Sequence, residues 1–138
     1  MTDDPVIELI IPGHFLSERK RQVRMGKFAA RVDMADRVEF KAKVAVFAAQ
    51  VAPPELLDEP LRLEIIWQSV KPKSYRKHED WPHKKPDLDN LVKILLDPLT
   101  GILFRDDAQI CEHHLVKRFG PTEQITVRIW RLCSEWPY

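Results

Sequence analysis

Lys84-Lys85-Pro86-Asp87-Leu88-Asp89-Asn90-Leu91-Val92-Lys93 decides how this chain is read, and Arg105-Asp106-Asp107 follows a short way downstream. Leu88, Leu91, Val92, Leu95, Leu96 and Leu99 recur at steps of three and four, which predicts one apolar stripe on a helix beginning near Asp89. Pro86 favours an extended Lys85 and argues against a helix running through from upstream, while Asp89 or Asn90 can cap the first free amides. Asp89, Lys93 and Asp97 step by four along the polar face, and Asp87 precedes the first turn. Ordinary roles cover part of this pattern. An Asp at a helix start commonly serves as a cap and dipole partner, and Lys93 with Asp97 has the spacing of a solvated ion pair. Neither role explains Asp87. Two acids directly behind Lys84 and Lys85 suit a cation or a phosphate, and a hard divalent ion such as magnesium takes carboxylate oxygens while keeping waters for exchange. A calcium loop of the EF-hand kind is excluded, because it needs an oxygen ligand at Leu91 and a Gly at Val92.

The longer run KPDLDNLVKILLDPLTG, from Lys85 to Gly101, and the shorter FRDDAQI, from Phe104 to Ile110, together resemble the core motif of the RusA family of Holliday-junction resolvases. The match is specific over about residues 85 to 117, where the family reads Asp-Leu-Asp-Asn, a Lys three residues on, and then Asp-Asp-x-Gln-Ile. Outside that window the likeness is architectural. The resemblance implies that Asp87, Asp89 and Asp107 are the essential aspartates and hold Mg2+, that Lys93 is the essential lysine, and that Asp106 and Lys117 are accessory. It narrows the substrate to four-way DNA junctions. Two departures are visible: the link between helix and Asp-Asp looks about one residue short, and Pro98 interrupts the last helical turn.

Length and composition suit this reading. A chain of 138 residues with 44% hydrophobic content fits one domain over 1–138 with a real core. Cys111 and Cys133 lack metal-ligand spacing and read as small core residues in a reducing, cytoplasmic setting. Met1-Thr2-Asp3-Asp4 has the wrong sign for a secretory leader, and no early apolar run reaches membrane-spanning length. The net charge of +1 conceals local clusters, with nine Lys or Arg against four acids from Ser17 to Lys43 and six against two from Lys71 to Pro86. Such runs are often only solvated surface, but here they flank the acidic centre. Arg19, Lys20, Arg21, Arg24, Arg76 and Lys77 are accordingly the expected contacts for DNA arms.

In chain order, Val6 to Ile11 is a β-rich run closed by Pro12-Gly13, and His14 to Arg31 reads as an irregular basic loop. Asp33 or Asp36 can start a helix whose Phe40, Val44, Phe47 and Val51 share one face, with Pro53-Pro54 ending it. Leu61, Leu63, Ile65 and Trp67 alternate with more polar neighbours and predict a strand with Trp67 in the core. Lys71 to Lys85 is a Pro-containing loop in which Tyr75 and Trp81 have two readings, stacking on exposed bases or packing beneath the loop. A strand over Ala108 to Arg118, a hairpin-like turn at Gly120-Pro121 and a last strand over Gln124 to Leu132 follow, and Trp136 in the tail is a candidate for a subunit interface. The fold expected is α+β, a single domain with two helices on a mixed sheet of about four strands. Its strand order is not readable, and the three aspartates can converge only if the helix start and the Asp106-Asp107 turn lie side by side.

The function expected is magnesium-dependent hydrolysis of phosphodiesters in branched DNA, in recombination and repair, by a two-fold homodimer with one site per subunit. A non-catalytic binding protein for branched DNA is the alternative. A small-nucleotide phosphohydrolase lacks support, because no Gly-rich phosphate cradle is present.

Overall fold

The computed structural model describes residues 4–13, 27–84 and 87–132, with side chains omitted over 27–37. Strand β1 is Ile7–Pro12, β2 is Leu61–Ser69, β3 is Ile110–Phe119 and β4 is Gln124–Arg131; helix α1 is Lys27–Gln50 and α2 is Leu88–Leu99. The strands form one mixed sheet in the order β1-β4-β2-β3, with β2 and β3 parallel and the other two pairings antiparallel. This is the α+β arrangement of two helices and four strands expected from the sequence.

Side-chain alternation and register together assign the sheet's buried face. Ile7, Leu9 and Ile11 lie opposite Ile129, Val127 and Ile125, which in turn lie opposite Leu63, Ile65 and Trp67. All of these are buried, so period-two alternation on three strands stacks into one apolar surface. Phe40, Val44 and Ala48 of α1 and Leu91, Ile94, Leu95, Leu96 and Leu99 of α2 complete the same core. The Phe40 and Trp67 rings are 6.0 Å apart. The intervening strand positions carry ion pairs: Arg128 bridges Glu8 at 2.6 Å and Glu64 at 2.8 Å. Burial pushes the Glu64 carboxyl up, but the bonds from Arg128 and His114 outweigh it and hold that carboxyl below its usual range.

Several local expectations change. Among the described residues helix α1 begins at Lys27, so the basic loop expected through Arg31 is helical from Lys27; few large apolar residues mark that first part, which hid its periodicity. Gly120-Pro121 is not a hairpin turn, since β3 and β4 do not pair. The chain instead crosses the end of β2, where Gly120 N donates to Ser69 O and Gln68 Nε2 to Thr122 O. A Cβ at Gly120 would meet the Gln68 carboxamide and displace it from its bond to Thr122 O, so the absence of a side chain lets the crossing pass close to Gln68. Cys111 is exposed on β3 rather than buried, because β3 is an edge strand whose first half lies outside the core. Cys133 and Trp136 lie outside the described residues. Among the described residues no helix is long and apolar enough to cross a membrane.

Candidate active site

Helix α2 starts one residue earlier than its stripe suggests. Asp87 occupies the N-cap position with extended backbone (φ −78°, ψ 148°), but its carboxylate makes no capping bond to the helix amides. Asp89 lies in the first turn, where the helix dipole favours an anion, and it is not the cap. Asp87, Asp89, Asn90 and Lys93 are all exposed, while the opposite face of α2 is buried in the core. Leu88, counted in the apolar stripe, is 36% exposed; Ile94, not counted, is buried. Pro98 falls in the last turn and gives up its amide bond there, and Thr100 closes that turn by donating its amide and its hydroxyl to Leu96 O.

Asp106 and Asp107 behave differently from one another. Asp106 is the N-cap of a 3₁₀ turn over Asp107–Gln109 and accepts from Ala108 N at 3.0 Å, while Gln109 Oε1 accepts from Asp106 N at 2.8 Å. The other end of the Gln109 amide donates to the Leu57 and Glu59 carbonyls, both at 3.0 Å, fixing the turn to the lead-in of β2. The Ala108 bond holds the Asp106 carboxyl below its ordinary value. Asp107 is pushed above its own, first by a hydrogen bond shared with Asp106, then by lost hydration and by repulsion from Asp106 and Asp97.

Asp97 has the i,i+4 spacing of a partner for Lys93. The structure pairs it with Lys41 of α1 at 2.8 Å and brings it close enough to act on Asp107. Lys93 makes no ion pair among the described residues. Lys117, near the end of β3, donates from Nζ to Lys84 O at 2.8 Å and so ties the loop that enters α2. In that loop Tyr75 packs edge-on against Phe119 and His83, with centroids 5.0 and 5.4 Å away, and its hydroxyl accepts from Lys84 N. Arg76 and Lys77 are exposed on the same loop. Arg19, Lys20, Arg21 and Arg24 lie outside the described residues.

Topology bears on whether the three acids can converge. Because β2 and β3 are parallel, α2 between them runs opposite to both strands. Asp87 and Asp89 sit at the end of α2 near the finish of β3, whereas Asp106 and Asp107 sit before its start, beside Asp97. Eight residues of helix separate Asp89 from Asp97, a rise of about 12 Å. The helix start and the Asp-Asp turn are therefore not side by side within one chain. Carboxylates are the donor set a hard divalent ion takes, but among the described residues no three acids, His or Cys gather closely enough to hold one.

The matches to known proteins bear directly on this acidic motif. A curated relative, the uncharacterized protein YqaN of Bacillus subtilis (strain 168), is 30% identical over 117 residues, covering 78% of this chain and 82% of its own length. The model of the endodeoxyribonuclease RusA family matches residues 12–130, from the end of β1 to near the end of β4, and takes in Asp87, Asp89, Lys93 and the Asp106-Asp107 turn together. The chain belongs to the RusA endodeoxyribonuclease family.

Proposed function

We propose that the protein is a magnesium-dependent endonuclease that cuts four-way DNA junctions in recombination and repair, and that it works as a homodimer. The observation that carries this reading is the exposed Asp87-Leu88-Asp89-Asn90 run at the extended-to-helix junction, inside the region matched by the family. Asp87, Asp89 and Asp107 are the proposed metal ligands. Their separation along α2 supports assembly from two chains: a two-fold axis that sets the α2 helices antiparallel carries the Asp107 end of one protomer to the Asp87 end of the other, and does so twice. A bound magnesium ion would polarise the phosphoryl oxygens and lower the pKa of a bound water.

The chain's own residues do the rest. Lys93, one turn beyond Asp89 and free of an ion pair among the described residues, meets the negative charge of the scissile phosphate. Lys117 holds the loop into α2 through the Lys84 carbonyl and is a positioning residue. Asp106 caps the turn that presents Asp107. Arg76 and Lys77, with Arg19, Lys20, Arg21 and Arg24, supply backbone contacts to the arms.

Mixing inactive variants tests the site and its assembly together. Asp89→Asn and Asp107→Asn are each expected to bind junctions and cut none. In the mixed dimer one of the two shared sites keeps all its acids, so unfolding and refolding the two together restores nicking to about a quarter of the parental site count. A mixture as inactive as its components would place all three acids in one chain. A parent that binds junctions without cutting them under any divalent ion would establish the binding-protein reading instead.

A further inference from the structure

The loop between β2 and α2 packs one of its aromatic rings and leaves the other out. Tyr75 is clasped by Phe119, by His83 and by Lys84 Nζ, which lies 4.5 Å from its centroid. Trp81, six residues along the same loop, is 62% exposed. The loop is held on both sides of it: Arg76 N donates to Glu79 Oε1 at 2.6 Å, His83 Nε2 lies 2.6 Å from Glu79 Oε2, and His83 N donates to Trp81 O at 2.9 Å. The His83 bond fixes the backbone at the tryptophan itself. The indole is thus held out from the core on a braced loop, its ring face open to a flat partner.

We propose that Trp81 is a stacking platform for a nucleobase exposed at the branch point of the junction, and that it sets the preference for branched over linear DNA. The inference rests on the DNA-junction reading above and adds a specificity residue to it. Charge supports this occupant over a protein partner: Lys73, Arg76, Lys77 and Lys84 share the loop with Trp81, against Glu79 and Asp80. A flat ring among cations is the pairing that single-stranded and distorted nucleic acids take, with cations on the backbone and the ring on a base. Reach supports it as well. Six residues join Trp81 to Asp87, at most about 20 Å of chain, so the indole lies within a few nucleotides of the proposed scissile phosphate. Linear duplex offers no unstacked base at that place, whereas a four-way junction has strained pairs at its centre.

Binding measured in magnesium-free buffer keeps this test separate from cleavage. Parent, Trp81→Ala and Trp81→Phe are titrated onto a four-way junction carrying 2-aminopurine at the branch point, and onto a linear duplex of one arm pair. Trp81→Ala is expected to weaken junction binding about 5- to 150-fold, the worth of one base–aromatic stack, with duplex binding within about twofold of the parent. Trp81→Phe should retain most of the affinity, and the 2-aminopurine signal should change with parent and Phe but not with Ala. Junction affinity for Trp81→Ala within twofold of parent overturns the proposal. Equal losses on both DNAs overturn it too, by assigning the ring to the backbone, and so does a shift to a smaller oligomer in Trp81→Ala, which would mean that the indole packs on a second copy. A parent that binds neither DNA removes the junction reading itself, and this proposal with it.

Discussion

Gln109→Ala addresses how the Asp107 turn is held. The Gln109 side chain makes three bonds, accepting from Asp106 N at 2.8 Å and donating to Leu57 O and Glu59 O at 3.0 Å each. Net contributions of about 0.5–1.5 kcal/mol per bond give a ceiling of about 4.5 kcal/mol. Two corrections lower it. Leu57 O keeps a second donor, Arg105 N at 3.2 Å, and Asp106 is exposed enough for water to replace its lost partner. A loss of about 2 kcal/mol remains, which for a chain of this length corresponds to a fall of roughly 6–10 °C in Tm. Urea unfolding followed by far-UV circular dichroism measures the first, and a thermal scan the second. Gln109→Glu separates the two ends of the amide, because it keeps the acceptor toward Asp106 N and removes both donors. It should lose most of the same stability. A change below about 0.5 kcal/mol in both variants would show that the turn is held by something other than this latch.

Asp107→Asn should raise Tm at pH 7. The folded state raises the Asp107 pKa and so binds its proton more tightly than the unfolded chain; stability therefore falls as pH climbs from the ordinary value of 3.8 through the raised one, and Asn removes that loss. The gain should vanish below pH 3.8, and a variant less stable than parent at pH 7 would contradict the assignment. Asp106→Asn keeps an oxygen that can accept from Ala108 N, so it should impair cleavage less than Asp107→Asn, and equal losses would exchange the roles of the pair. Lys93→Ala should fold normally and bind junction, yet lose on the order of a hundredfold in single-turnover rate, as when a transition-state charge contact is removed. A full-rate variant would leave Lys93 a solvated surface residue. Neutralising Arg76 and Lys77 together with Arg19, Lys20, Arg21 and Arg24 should weaken junction binding and flatten its salt dependence by about one unit of slope per lost phosphate contact, and an unchanged slope would put the DNA path elsewhere.

The sequence revealed what depends on neighbours in the chain. Alternation over Leu61, Leu63, Ile65 and Trp67 and the stripe along Leu91, Leu95 and Leu99 required only local periodicity, and both elements form where they are expected. The strand order required knowing that β4 pairs on the far side of β2 from β3, which no local pattern encodes. The same gap displaced the acids. Asp87, Asp89 and Asp107 stand out by residue type, but their distribution to opposite ends of α2 follows from the parallel pairing of β2 with β3. Asp97 was legible only as part of an i,i+4 pair with Lys93, because its true partner, Lys41, is 56 residues away. The capping role of Asp106 was visible in principle, since Asp followed three residues later by Gln is the spacing of a capping box.

The position of β4 also orders events during synthesis. Ile7 pairs with Ile129, and among the described residues β4 is the strand hydrogen-bonded to β1, so β1 has no sheet neighbour until β4, far along the chain, has left the ribosome. Until then the apolar side chains Ile7, Leu9 and Ile11 face water or a chaperone, and β2 has an open edge where β4 will lie. Closing a loop of this length costs little more entropy than closing a short one, but it has to wait for the chain. A product stopped before Gln124 would contain every acid of the proposed site on a sheet missing one of its two inner strands. Such a fragment exposes apolar strand faces of the kind proteases and chaperones recognise, and on the reading proposed above any cutting of DNA waits for β4 to be made.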